Sequence, residues 1–190
     1  MSMLGRLVRL QLRSQSWQPI PIERVHLAFF RSEFDTLPGR LPSDTALARN
    51  PDPTNEAENK RRKELLYGKR SPLLAQVPDA TEWYEVRFLR EQNLHQLRAI
   101  NHPEWRSRAD RNELSKVARR KVVRLREEPH VWDPPILWGH ERTGPFTILD
   151  GNNRLTGYAR LTWRPRLRIP VYIGLCTQVC VWHLPDRPDD

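Results

Sequence analysis

The sequence predicts a mixed α+β fold, a compact domain preceded by an irregular N-terminal extension. Two observations divide the chain near residue 80. Before that point Pro19, Pro21, Pro38, Pro42, Pro51, Pro53, Pro72 and Pro78 recur too often for long regular elements. After it, apolar residues recur at strand spacing and at helix spacing in turn. A third observation bears on packing: only 38% of the 190 residues are hydrophobic and 17 are proline. Such a chain buries a real core but leaves part of its length extended or thinly packed. The expected division is an extension over 1–80 with one strand and one helix, a domain over 81–184 and a polar tail over 185–190.

In the extension, Val8, Leu10 and Leu12 alternate with Arg9, Gln11 and Arg13, as in a half-buried strand. The first 22 residues also carry arginines and no acid, which is how an organelle transit peptide reads. The strand reading is adopted here, with a cytoplasmic location. Ile22–Phe30 is the best apolar segment, Pro38–Asn55 reads as exposed loop, and Glu56–Tyr67 reads as a charged helix stopped by Gly68. This extension is expected to wrap the core or to contact a partner.

In the domain, Trp83–Leu89 alternates as a strand, with Tyr84, Val86 and Phe88 on one face and Glu85 and Arg87 on the other. Leu94, Leu97 and Ile100 keep a helical period up to His102-Pro103. A second helix starts near Asp110 with Glu113 in a capping box, buries Leu114, Val117 or Ala118, Val122 and Leu125, and ends before Pro129. Its outward face holds Lys116, Arg119, Arg120 and Arg124. Pro135–Trp138 and Phe146–Leu149 read as strands of a hairpin. A third helix is expected over 153–162 with Leu155 and Tyr158 inward, then a strand over Arg168–Ile173 and an edge strand near Gln178–His183. Trp132 and Trp138 read as core.

Chemistry concentrates in Asp150-Gly151-Asn152-Asn153-Arg154. A buried strand delivers the chain to Asp150, and Gly151 permits a sharp turn close to a ligand. Asn152 and Asn153 can cap the next helix, whose free N–H groups attract an anion. Arg154, in the first turn, has the planar fork that binds two phosphate oxygens. Asp150 either holds a magnesium ion bridging those oxygens or caps the helix. The net charge of +9, mostly from arginine, favours nucleotides, nucleic acid or an acidic macromolecular partner.

Several classes are excluded. No run reaches the roughly 18–20 apolar residues that span a bilayer, so no transmembrane segment is expected. Cys176 and Cys180 would lie about 13 Å apart along one strand, too far for a disulfide. No His/Cys spacing completes a zinc pattern.

The order of elements, with Pro135–Leu137, Ile148–Leu155 and Ile169–Ile173, resembles the ParB/sulfiredoxin superfamily over roughly residues 83–174. The resemblance implies a turn that binds the phosphates of ATP, ADP or CTP. Sulfiredoxins place a nucleophilic cysteine where Asn152 stands, so sulfinic acid reduction is excluded. The turn is most similar to the Asp-Gly-x-His-Arg of the free serine kinase branch, with Asn153 in the histidine's place. That branch implies an ATP- or ADP-dependent phosphotransferase or NTPase with magnesium, Asp150 in the catalytic site and a carboxylate base near the first strand. Glu85 resembles that base, and Glu82 and Glu91 compete with it. The alternative is a DNA- or RNA-binding module without catalysis.

Overall fold

The computed structural model describes residues 16–49, 51–74, 76–89, 97–99, 123, 133–159 and 168–178. Its elements are β1 (Gln18–Pro19), α1 (Ile22–Glu33), α2 (Thr45–Arg49), α3 (Glu56–Leu74), β2 (Glu82–Leu89), β3 (Leu97–Ala99), β4 (Ile136–Gly139), β5 (Phe146–Asp150), α4 (Asn152–Ala159) and β6 (Arg168–Leu175). They form an α+β fold around one mixed sheet of order β1-β2-β6-β4-β5-β3. Strand β6 runs antiparallel to β2 and parallel to β4, and β5 runs antiparallel to β4 and parallel to β3.

Period-2 alternation sorts the sheet into two faces. Val86, Leu137, Phe146, Ile148, Ile169, Val171 and Ile173 point to one face, where Leu155 and Tyr158 of α4 cover them. Trp83, Ile136, Trp138, Leu149 and Tyr172 point to the other. There α1 and α3 supply Val25, Ala28, Phe29, Phe30, Leu65 and Leu66. The central strand β6 is therefore nearly continuous in apolar residues, as a strand covered on both faces must be. Ile148, Leu155, Tyr158 and Ile173 share one core as their spacing predicts. Trp138 is fully buried.

Residues 16–74 are more regular than their prolines suggest. They hold β1 and three α-helices, where one strand and one helix were expected. The positions 25, 28 and 29 give α1 an apolar stripe one turn apart, which seats it on the sheet. The stretch expected as exposed loop contains a 3-10 turn at Pro42–Asp44 and α2, with Asp44 buried. Two arginines of α3 pin it. Arg61 binds both carboxylate oxygens of Asp44, at 3.1 and 2.9 Å, and holds that carboxyl below its ordinary pKa. Arg62, 1% exposed, donates to Glu58 at 2.8 Å, to the Asp52 carbonyl at 2.8 Å and to Asn59 at 2.7 Å. Its charge is matched by Glu58 and both terminal nitrogens find acceptors, which makes the buried guanidinium tolerable although its Nε finds no partner among the described residues.

Other expectations change. Helix α3 runs through Gly68 to Leu74, because Gly68 keeps a helical backbone and no left-handed residue ends the helix there. Leu97–Ala99, expected as helix, is a strand in register with Phe146–Ile148. The open edge of β5 supplies the parallel hydrogen bonds, and that pairing outweighs the helical spacing of Leu94, Leu97 and Ile100. In the expected second helix Val123 is helical and exposed, consistent with its place outside the apolar stripe. The rest of that helix, the Val8–Leu12 strand, Glu91, Trp132, His95, His102, Cys180 and the tail lie outside the described residues.

Candidate functional site

Strand β5 ends in the Asp150 turn, and a β-bulge sets its aim. Ile136 pairs with Asp150 while Leu137 pairs with Ile148, so β5 carries one extra residue there. Ile148 faces α4 and Leu149 faces α1. The extra residue leaves Asp150 opposite Ile136, on the α1 side of the sheet. Its carboxylate accordingly meets the last turns of α1: Ser32 Oγ lies 2.7 Å from Asp150 Oδ2. The same hydroxyl lies 2.9 Å from the Phe29 carbonyl, and its single proton serves one acceptor at a time.

Gly151 has φ +98. A Cβ there would approach Pro135 Cβ to 2.8 Å and Arg154 Nε to 3.1 Å. Glycine is thus required both by the backbone and by space. Gly151→Ala is expected to destabilise the protein by about 1–3 kcal/mol, the cost of a strained left-handed residue. Urea unfolding checks this, and an unchanged midpoint would show that the turn relaxes freely.

Helix α4 starts immediately after, with Leu155 N donating to Gly151 O at 2.9 Å. The N–H groups of the first turn precede any intrahelical partner. Asn152 is half-buried and Asn153 exposed, whereas Arg154 is only 5% exposed. Arg154 Nη1 donates to the Asp133 carbonyl at 2.9 Å, and Nη2 pairs with the Asp150 carboxylate. Asp133 in turn pairs with Arg31 Nε at 3.2 Å. The guanidinium expected to fork a phosphate instead clamps the turn from inside. Arg31, Ser32 and Asp133 are members of this network that sequence reasoning missed. Ser32 and Asp150 are 118 residues apart, and no local pattern announces their meeting.

The expected magnesium ion would have to share the carboxylate of Asp150 with Arg154 and Ser32. Asp150 Oδ2 is already approached by a guanidinium and a hydroxyl. A second cation at the same oxygen would have to displace Arg154 and leave a buried charge without its partner. Among the described residues no three His, Cys, Asp or Glu side chains converge as a metal set.

Glu85 stands apart from the turn. It pairs with Tyr172, Tyr172 with Ile136, and Ile136 with Asp150, so three strand spacings separate Glu85 from Asp150. That is about 14 Å, with Tyr172 and Ile136 buried between them. No general base acts across such a gap. Glu85 instead receives Arg24 Nη2 at 3.1 Å, and the same nitrogen lies 3.3 Å from the Tyr172 hydroxyl. Burial raises the pKa of that phenol. Glu82 lies at the far end of β2, opposite Leu175, and accepts the Tyr84 hydroxyl. Helix α1 is therefore fastened at both ends, by Arg24 on Glu85 and by Arg31 and Ser32 on the turn.

No protein-family model matches the chain, and no curated protein or solved structure matches it either. Fold and site by themselves define an α+β domain in which a glycine turn at a strand end opens a helix N-terminus. No helix among the described residues is long and apolar enough to cross a membrane.

Proposed function

We propose that this protein binds the phosphates of a nucleotide, ATP or ADP, at the Gly151 turn. The phosphotransferase or NTPase activity implied by the family resemblance would act there. The observation that carries this reading is Gly151 at φ +98 leading into α4, with Asn153 exposed in the first turn. A helix start of that kind presents N–H donors and the positive end of its dipole to an anion. Arg154 contributes by holding the turn in shape. Asp133, with a side chain 25% exposed, takes over from Glu85 as the carboxylate beside the turn.

Titration calorimetry with ATP, ADP and inorganic phosphate tests the reading, and absence of heat with all three would refute it. Asn153→Asp is the informative variant. An acid in the first turn favours the helix dipole by about 0.3–1 kcal/mol, so folding is kept. The same charge repels a phosphate and removes an amide donor. A hydrogen bond to a charged group is worth about 1.5–3 kcal/mol, so affinity should fall about 10- to 100-fold.

A second reading rests on the net charge of +9, which suits DNA or RNA. It predicts binding to generic duplex that weakens steeply with salt and ignores Asn153→Asp.

A further inference from the structure

Between the helical layer and the sheet lies a cavity of about 90 Å³. Its wall changes character from inside to outside. Val25 and Phe29 of α1 and Ile136 and Leu149 of the sheet form an apolar floor, and all four are buried. Lys63 of α3 and Asp79, both exposed, form a charged rim. These two charges are left over. Arg61 and Arg62, on the same helix as Lys63, are each paired with a carboxylate. Among the described residues Lys63 and Asp79 form no ion pair, either with each other or with another side chain. Lys63 Nζ lies instead over the Tyr67 ring, 5.5 Å from its centroid.

We propose that this cavity binds an apolar α-amino acid as its zwitterion, with the side chain on the floor, the carboxylate facing Lys63 and the ammonium facing Asp79. Size limits the side chain. A water needs about 10–15 Å³ of such space, so the cavity holds roughly six to eight heavy atoms, which admits valine. Nucleotide-sized ligands need pockets of about 300–1,000 Å³, so this site does not depend on the phosphate reading. The charges of the wall select the head. His26, also in the wall, is held neutral by burial first and then by Lys63, with a pKa lowered to about 4, although Glu23 opposes the shift. Lys63 and Asp79 are then the charged groups of the wall, and they sum to zero as the zwitterion does. A lone anion would meet Asp79 and a lone cation Lys63, whereas a zwitterion turns the matching end to each. The floor fixes the orientation, because an apolar side chain gains by leaving water and a charged head does not.

L-Valine is the probe, with NMR titration of the full chain as the measurement and the His26 ring signals as the locator. Valine should bind and shift those signals. Serine, which has the same head but cannot fill an apolar floor, should bind roughly tenfold more weakly. 3-Methylbutanoate is valine without its ammonium, and isobutylamine is valine without its carboxylate. Each should be weaker than valine by about two- to fivefold, the worth of one exposed ion pair. Both rim residues are exposed, so their replacement should leave the fold intact. Asp79→Asn should erase the advantage of valine over 3-methylbutanoate, and Lys63→Gln its advantage over isobutylamine. The proposal is overturned by no binding of valine, by His26 signals that stay in place when it binds, or by serine binding as tightly. It is equally overturned if either analogue matches valine, or if the two advantages survive the two substitutions.

Discussion

Replacing Arg154 with methionine should lower the stability of the protein by about 3–5 kcal/mol, enough to unfold much of a marginally stable chain. The guanidinium is 5% exposed and is held by the Asp150 carboxylate and the Asp133 carbonyl. Methionine keeps most of the buried volume but no donor. Asp150, half-buried, is then left with Ser32 as its hydrogen-bond donor among the described residues. Breaking one half of a buried pair costs far more than the pair contributes over an apolar substitute, because the remaining charge is stranded. The double replacement Arg154→Met with Asp150→Leu should therefore recover a large part of the loss. Urea midpoints of the two single variants and the double variant give the coupling directly. Equal losses that simply add would show that the two side chains do not form one unit. This outcome also bears on function: a solvent-facing Arg154 that forks phosphate would cost little stability when removed.

The two halves of that network differ in how far the sequence reveals them. Phe146-Thr-Ile-Leu followed by Asp-Gly and two asparagines announces a buried strand, a left-handed glycine and a helix start, and all three are present. These are local facts, set by side-chain period and backbone sterics within a few residues. The direction in which Arg154 points is not local. It depends on a bulge between β4 and β5 and on Asp133, 21 residues upstream, whose carbonyl accepts from it. The same limit hides the role of Glu85: alternation assigns its face of the sheet, but its distance from Asp150 follows from strand order alone.

Short or charged segments mislead for other reasons. Leu97–Ala99 is three residues long, too few to display a period of two, and its pairing partner begins at Phe146. In α3 the run Lys60-Arg61-Arg62-Lys63 reads as a solvated face, yet Arg62 is among the most buried side chains. A charge pattern cannot distinguish a guanidinium in water from one whose terminal nitrogens are met by Glu58, Asn59 and the Asp52 carbonyl. Residues 38–55 look like free loop for the same reason, since the contacts that order them come from α3.

Acidification should destabilise the protein between pH 6.5 and about 4 through His26. Burial first, then the positive charge of Lys63, lowers the folded pKa to about 4 from an ordinary 6.5, while Glu23 opposes the shift. Lys63 reaches the imidazole from α3, Glu23 from the preceding turn of α1, and Tyr67 and Asp79 line the same cavity wall. The unfolded chain therefore takes up a proton near pH 6.5 that the folded chain refuses until about pH 4. Stability is fully present above 6.5, falls through that window, and loses nothing further to this group below it. A tenfold change in proton affinity corresponds to about 1.4 kcal/mol, so the whole window amounts to about 3 kcal/mol. Asp and Glu side chains begin to titrate at its lower end, so the comparison must be with His26→Gln, which keeps polarity and removes the proton site. Urea unfolding at intervals from pH 7.5 to 4 should show the two proteins diverging, with the histidine form losing stability faster on acidification. Parallel curves would mean that the imidazole titrates normally, and the packing of α1 against α3 around it would then have to be looser than the structure shows.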